Sequence, residues 1–143
     1  MSIRVFLVDG YAAMRTLLGI LLETQPGFVV VGEASDEESA AGAISYCQPD
    51  IIVIDRAPSM HHNLDILQRL RMLCPSARMI LLTFALDMDH EEVRQALDLG
   101  VLGFVPKEKV GDELIEAIRT VSAGECYVSR KLLEYGLELP PLK

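Results

Sequence analysis

The sequence has few cysteines and no apolar segment long enough to cross a membrane. Its three cysteines, Cys47, Cys74 and Cys126, are odd in number and far apart, and they lack the Cys-x-x-Cys spacing of a zinc or redox site. They indicate neither a disulfide framework nor a structural zinc site, and we expect reduced thiols. The N-terminus also lacks the regions of a secretory signal peptide, so the expected location is the cytoplasm, with no membrane partner.

Positive charge is also scarce. The 13 Lys and Arg residues are outnumbered by 21 Asp and Glu residues, which gives a formal net charge of −8 at pH 7. Such a surface repels nucleic-acid phosphates and anionic lipids, so the composition argues against direct binding to DNA or to membranes. Apolar residues, in contrast, make up 50% of the 143 residues, enough for one good core and too few for two independent domains.

Short apolar runs alternate with helical patterns along most of the chain. The predicted strands are 3–8, 28–34, 51–55, 79–84 and 103–105, and the predicted helices are 12–23, 35–47, 64–73, 89–99 and 112–122. Strands that alternate with helices through short loops predict an α/β fold with a parallel sheet, covered by helices on both faces. After residue 124, a short helix at 131–135 is the one element that the pattern permits.

One acid lies at the end of the most apolar strand. Ile51 to Ile54 form an uninterrupted apolar run, and Asp55 follows it directly. The carboxyl ends of parallel strands border the crevice in which ligands bind, which makes Asp55 a candidate functional residue. The alternative is structural, because Asp is equally favoured in turns and at helix N-caps.

Polar residues follow three more of the predicted strands. Asp9 follows the first, Thr83 ends the fourth, and Lys107 comes just after the fifth. Together with Asp55, they resemble the active site of response-regulator receiver domains, the CheY-like phosphoacceptor modules of two-component signal transduction. Any one of these residues is a weak signal, whereas four at the ends of different strands are a specific one. The resemblance covers essentially residues 3–124.

Two further segments, 31–35 and 123–129, resemble the NarL/FixJ subfamily, whose receivers usually precede a LuxR-type helix-turn-helix domain. The resemblance implies a flavodoxin-like (βα)5 fold, with a doubly wound sheet of five parallel strands in the order 2-1-3-4-5. It also implies a receiver domain at 1–124 and a C-terminal linker or tail at 125–143. A histidine kinase is the implied partner, and DNA is implied only through an output domain outside this sequence.

The chemistry that the resemblance implies is phosphoryl transfer. Asp55 would be the nucleophile and would take a phosphoryl group from the kinase. Asp9, Asp55 and the backbone carbonyl of Ala57 would hold Mg²⁺, a hard cation that prefers oxygen ligands. Lys107 would place a compact positive charge beside a phosphoryl oxygen.

The resemblance also implies a switch. Thr83 would bond another phosphoryl oxygen and swing inward when Asp55 is phosphorylated. This movement would draw Phe104 from an exposed to a buried rotamer. The signal would then pass to the face formed by the fourth helix, fifth strand and fifth helix.

The sequence departs from the receiver pattern around this site. Receivers usually have two consecutive acids after the first strand, whereas here the pair reads Asp9-Gly10, which removes a direct metal ligand. Phe84 replaces the small residue that normally gives the phosphodonor room, and Pro106 precedes the lysine where many receivers have a Lys-Pro bond. Asp87 is a minor candidate for the missing carboxylate. We therefore expect weak or absent Mg²⁺ binding, and phosphorylation at Asp55 that is weakened or lost.

Other functions fit less well. A phosphatase of the haloacid dehalogenase type needs a general acid two residues after its nucleophile, where this chain has Ala57. Nucleotide binding calls for a glycine-rich loop, whereas residues 9–13 contain one glycine. We therefore do not expect an enzyme. A small-molecule-binding module is supported only by the space that Gly10 leaves.

Two outputs stay open from the sequence alone. The chain is either the regulatory part of a LuxR-type transcription regulator, or a stand-alone pseudo-receiver that acts through protein interactions or small-molecule binding, independently of phosphorylation. A homodimer is also predicted, because Leu114, Ile115 and Ile118 on the fifth helix exceed what one core face needs.

Overall fold

The structure, a computed structural model, describes residues 2–55, 63–83 and 90–134. These residues contain six strands: β1 Ile3–Val8, β2 Phe28–Ala34, β3 Ile51–Asp55, β4 Arg78–Thr83, β5 Val101–Pro106 and β6 Tyr127–Val128. They also contain six α-helices: α1 Ala12–Glu23, α2 Glu37–Cys47, α3 Asn63–Leu73, α4 His90–Asp98, α5 Val110–Ser122 and α6 Arg130–Glu134. A 3₁₀ turn, Lys107–Lys109, joins β5 to α5.

The strands form one parallel sheet in the order β2-β1-β3-β4-β5-β6. This order confirms the predicted flavodoxin-like arrangement, and β6 extends it by a short strand that the sequence pattern did not predict. A strand of two residues carries too little periodicity to be read from sequence. Among the described residues, no helix combines the length and the apolar character that a membrane span requires.

Side chains that alternate along the strands contribute to two apolar cores, one on each face of the sheet. On one face, Phe6 and Ile52 pack with residues of α2, α3 and α4. On the other face, Val5 and Ile51 pack with residues of α1 and α5. Because successive strand residues point to opposite faces, a strand must be apolar throughout to serve both cores. All five residues of β3 are accordingly buried.

A side chain caps the start of α2. The side chain of Asp36 accepts a hydrogen bond of 2.8 Å from the backbone N–H of Ser39, which satisfies one of the free donors in the first helical turn. Hydrogen bonds from the backbone N–H and the side chain of Ser39 hold the pKa of the Asp36 carboxyl below its ordinary value. The helix therefore begins two residues later than the pattern suggested, after its cap.

The fifth helix is more deeply buried than its pattern suggested. Leu114 and Ile118 are fully buried in the core beside α1, and Ile115 is partly buried against it. The premise that these side chains exceed the needs of one core face was wrong, because α5 fills its core with them. The homodimer stays a prediction and needs another surface, such as the exposed Leu17 and Ile20 of α1.

Replacement of two glycines by alanine should change the free energy of unfolding in opposite directions. A Cβ atom at Gly103 would lie 2.8 Å from Cγ1 of Ile80, inside the packed core. We expect Gly103→Ala to lower the free energy of unfolding by about 1–3 kcal/mol, the usual cost of overpacking. Gly42 lies in α2 and its added Cβ would meet nothing within 4 Å. Gly42→Ala should stabilise by about 0.5–1 kcal/mol.

Urea denaturation of both variants checks this prediction, since the two substitutions add the same single methyl group. Equal effects of the two changes would contradict the steric explanation.

Candidate functional site

Four polar residues meet at one edge of the sheet. Asp9 follows β1, Asp55 ends β3, Thr83 ends β4 and Lys107 follows β5, and these four strands are neighbours. Because the strands are parallel, their carboxyl ends lie at the same edge. All four residues are removed from solvent: as whole residues, Asp9, Asp55 and Thr83 are 3%, 7% and 0% exposed, and the side chain of Lys107 is 9% exposed.

The centre of the site is an ion pair between Nζ of Lys107 and Oδ1 of Asp55. A buried carboxylate requires such a partner, because removing an isolated charge from water is costly. In the described part of the chain, this Oδ1 atom has no hydrogen-bond partner in addition to the ion pair. Within the described residues, this oxygen atom therefore has acceptor capacity that a bound group can fill.

Asp9 adds a second buried carboxyl group. Its Oδ1 atom accepts a hydrogen bond of 2.8 Å from the backbone N–H of Tyr11, and Arg15 donates one of 2.7 Å to its backbone carbonyl. Burial raises the pKa of the Asp9 carboxyl, and the charge of Asp55 raises it further, against opposing effects of Tyr11, Lys107 and Arg15. Two carboxyl groups thus share one desolvated pocket, in which a cation would favour their ionised forms.

Gly10 leaves room beside these acids. A Cβ atom built on Gly10 has its nearest contact at 3.7 Å, with the backbone oxygen of Ser35, which is an ordinary van der Waals distance. Asp9 and Asp55 offer the oxygen ligands that Mg²⁺ prefers, so the residues present fit this ion. Within the described residues, however, no cluster of three or more His, Cys, Asp or Glu side chains is placed to hold a metal.

Comparison with known proteins identifies the family of the chain. The sequence profile of the response regulator receiver domain matches residues 5–119. The chain belongs to the response regulator receiver family. Receivers are the phosphoacceptor domains of two-component systems, interact with histidine kinases and typically bind Mg²⁺ at their acidic site.

The relatives include full-length regulators. The chain is 30% identical over 128 residues to the nitrate/nitrite response regulator protein NarL of Escherichia coli K12, which covers 90% of this chain and 58% of NarL. It is also 32% identical over 129 residues to a protein-glutamate methylesterase/protein-glutamine glutaminase of Dechloromonas aromatica, covering 84% of this chain and 37% of that enzyme. The chain thus spans about three-fifths of NarL and a smaller share of the methylesterase.

A solved structure shows the same architecture. The crystal structure of a two-component response regulator of the LuxR family from Aurantimonas sp. SI85-9A1 superposes with a TM-score of 0.82 at 27% identity, over 94% of each chain. This similarity and the similarity to NarL agree with the NarL/LuxR type that the sequence resembles.

The aromatic residue of the predicted receiver switch is already in the core. Phe104 is 0% exposed and belongs to the apolar cluster that includes Ile66 of α3 and Val93 of α4. The predicted switch moves this side chain from an exposed to a buried position, and the structure shows the buried position. Movement of Thr83 and Phe104 between two states stays a prediction.

Several predicted positions lie outside the described residues. These are Ala57, whose carbonyl the resemblance assigned to the metal, Phe84, whose bulk was expected to narrow the receiver site, and Asp87, the candidate replacement acid. Pro106 ends β5, and Lys107 begins the 3₁₀ turn that leads into α5. The proline thus precedes the lysine, where many receivers have a Lys-Pro bond.

Sequence reasoning missed one polar cluster. The carboxylate of Glu113 on α5 accepts hydrogen bonds of 2.6 Å from the hydroxyl of Tyr127 and 2.8 Å from that of Ser129. Tyr127 and Ser129 fall in the 123–129 segment that carries the NarL/FixJ resemblance, but the resemblance does not imply these contacts. Fourteen and sixteen residues separate the partners, and no local pattern reports such pairings.

Proposed function

We propose that this receiver is the regulatory part of a LuxR-type transcription regulator in which phosphorylation at Asp55 is weakened by the loss of one acid. The observation that carries the proposal is the buried Lys107–Asp55 ion pair beside Asp9, with Gly10 where a further carboxylate is usual. The family membership supports the reaction class, and the chemistry of the pocket supports its reduced efficiency.

The residues suit phosphoryl transfer in the following way. A carboxylate oxygen of Asp55 attacks the phosphorus of the donor, and the electron pair of the broken bond leaves with the donor group. Lys107, already at Oδ1, compensates the charge that develops on the phosphoryl oxygens. The Thr83 hydroxyl, at the end of β4, hydrogen-bonds one of those oxygens. Bound Mg²⁺ supplies further charge compensation there.

The proposed weak binding of Mg²⁺ follows from the net charge of the pocket. Asp9, Asp55 and Lys107 together bring two carboxylates and one ammonium, which leave one net negative charge in the pocket. A second acid after β1 would double that charge and add a direct oxygen ligand. Because Mg²⁺ loses hydration water reluctantly, it binds tightly only where the ligands repay that loss. We therefore propose that this receiver holds Mg²⁺ weakly, through Asp9, Asp55 and the carbonyl of Ala57.

Labelling with a small acyl phosphate and Mg²⁺ tests the proposal. We expect slow, partial addition of one phosphoryl group, detected by intact mass, and no addition to the Asp55→Asn variant. Rapid stoichiometric labelling would show that the site is fully competent. Complete absence of labelling at high donor and Mg²⁺ concentrations would favour the alternative below.

The second candidate function is a phosphorylation-independent pseudo-receiver. Gly10 in place of the usual second acid favours it, because the pocket then has one oxygen ligand fewer with which to hold Mg²⁺. Such a module would act through partner proteins or a small ligand. For the first candidate, a histidine kinase partner and DNA binding through an output domain are parts of the proposal. For either candidate, a homodimer and the absence of an enzymatic activity are parts of it. So is the division into a receiver at 1–124 and a linker at 125–143.

A further inference from the structure

The segment that follows α5 returns to the sheet and forms its last strand. In β6, Tyr127 is the parallel partner of Gly103 and Val128 is the partner of Phe104. The backbone N–H of Ser129 donates a hydrogen bond of 3.1 Å to the carbonyl oxygen of Phe104. We call residues 125–134, which comprise β6 and α6, the strap. Two paired residues are too few to hold a strand in place, so other contacts must anchor it.

The first anchor is Glu113. Its two carboxylate oxygens accept the hydroxyl hydrogens of Tyr127 and Ser129 at 2.6 and 2.8 Å, and Ser129 is fully buried. Hydrogen bonds to an ionised acceptor are stronger than neutral ones. Burial and the Glu113 carboxylate both raise the pKa of the Tyr127 phenol, so the donor keeps its proton far above neutral pH. One acid thus holds the residues on both sides of Val128.

The second anchor is apolar. Because Tyr127 and Ser129 turn to Glu113, the intervening Val128 points to the opposite face of the sheet. Val128 packs against the core cluster that contains Phe104, and Leu132 of α6 lies in the same cluster with 2% of its surface exposed. Removing Leu132 from this cluster would leave a cavity next to the packed side chains.

The third anchor connects the strap to the turn that carries Lys107. Nζ of Lys131 lies 3.0 Å from Oε1 of Glu108, the residue after Lys107 in the 3₁₀ turn. Burial raises the pKa of the Glu108 carboxyl, but a hydrogen bond from its own backbone and the interaction with Lys131 outweigh this effect, so the pKa lies below its ordinary value. This pair is partly exposed and contributes modestly, so Glu113 and Leu132 are the main anchors.

We infer that the strap holds Phe104 in the core, so that release of the strap and exposure of Phe104 are one event. In a sheet that ended at β5, an aromatic side chain could leave the core over the open edge of that strand. Here β6 occupies this edge and pairs with Phe104 itself. The position of the switch residue is therefore set by residues 125–134 as well as by Asp55.

The inference adopts from the proposed function only the assignment of Phe104 as the switch residue. Its physical content, the coupling of strap and side chain, needs no phosphoryl group and no Mg²⁺. Experiments without either reagent can refute the coupling while leaving phosphorylation at Asp55 untouched. Labelling of Asp55, in turn, can fail without affecting the coupling.

The test uses the full chain with fluorinated Phe104 as a ¹⁹F NMR probe of solvent contact, together with hydrogen exchange of the strap amides. The double variant Tyr127→Phe/Ser129→Ala removes both donors to Glu113 and keeps the aromatic ring. Leu132→Ala removes the apolar anchor independently. Leu133→Ala is the matched control, because Leu133 is the neighbour of Leu132 on α6 and is 48% exposed.

We expect exchange at the backbone amide of residue 129, relative to its intrinsic rate, to accelerate by about tenfold or more in the double variant and in Leu132→Ala. The population of solvent-exposed Phe104, measured by ¹⁹F NMR, should rise by the same factor as the exchange rate. Leu133→Ala should show neither change. Faster strap exchange with a fully buried Phe104 would overturn the coupling. Unchanged exchange in both variants would overturn the anchors. If the double variant does not fold, Tyr127→Phe is tested alone, because it removes one of the two donors to Glu113. The same two outcomes would then overturn the coupling or the anchors.

Discussion

Gly10→Asp should raise the rate of Asp55 phosphorylation by about tenfold or more at a fixed, subsaturating Mg²⁺ concentration. Changes to groups that merely orient metal ligands alter affinity or activity by about 10–100-fold, and a direct ligand should matter at least as much. The new side chain has room, since the nearest atom to its Cβ is the Ser35 backbone oxygen at 3.7 Å. Labelling by an acyl phosphate, followed by intact mass, measures the rate.

Gly42→Asp is the matched control for this prediction. It adds the same charge on α2, where its Cβ would meet nothing within 4 Å, and it leaves the site unchanged. The Mg²⁺ concentration for half-maximal labelling should fall in Gly10→Asp and stay constant in Gly42→Asp. Equal rates in Gly10→Asp and the parent would show that the missing acid is not what limits this receiver.

Lys107→Ala should have the largest effect on stability among single changes at the site, about 3–5 kcal/mol in the free energy of unfolding. The substitution leaves the Asp55 carboxylate, whose side chain is 4% exposed, without its cation. Much of the cost should therefore be recovered in Lys107→Ala/Asp55→Asn, where no uncompensated charge remains. Urea denaturation of the two single variants and the double variant gives the interaction energy as a double-mutant cycle.

Lys109→Ala provides the comparison, because Lys109 lies two residues away in the same 3₁₀ turn. A surface change of this kind should stay within about 0.5 kcal/mol. If the losses in Lys107→Ala and Asp55→Asn simply add in the double variant, the ion pair contributes nothing as a pair. The cost would then come from lost packing.

The sequence predicted much of the fold and the site because both depend on local patterns. Ile51 to Ile54 predicted a strand buried on both faces, and all of its residues are buried. The rule that parallel strands align their carboxyl ends then predicted the proximity of Asp9, Asp55, Thr83 and Lys107, which belong to four neighbouring strands. Helix bounds were predicted less accurately, as at the start of α5, which was predicted at residue 112 and begins two residues earlier at Val110.

The features that the sequence did not predict depend on tertiary contacts. Whether Leu114 of α5 faces the core or a partner is decided by how closely α1 approaches, which no local pattern encodes. The strap depends on Glu113 meeting Tyr127 and Ser129 after the chain has turned at Gly124, where φ is +87°. That turn favours glycine, which tolerates positive φ.

The brevity of β6 also bears on how this molecule behaves at high concentration. An unpaired strand edge offers a row of free amide and carbonyl groups to other chains and is a common starting point for fibrils. Here two residues, Tyr127 and Val128, cover the β5 edge, and the chain then turns into α6. Weakening the contacts with Glu113 should therefore promote self-association through β5, and protein carrying such changes should precipitate sooner on storage.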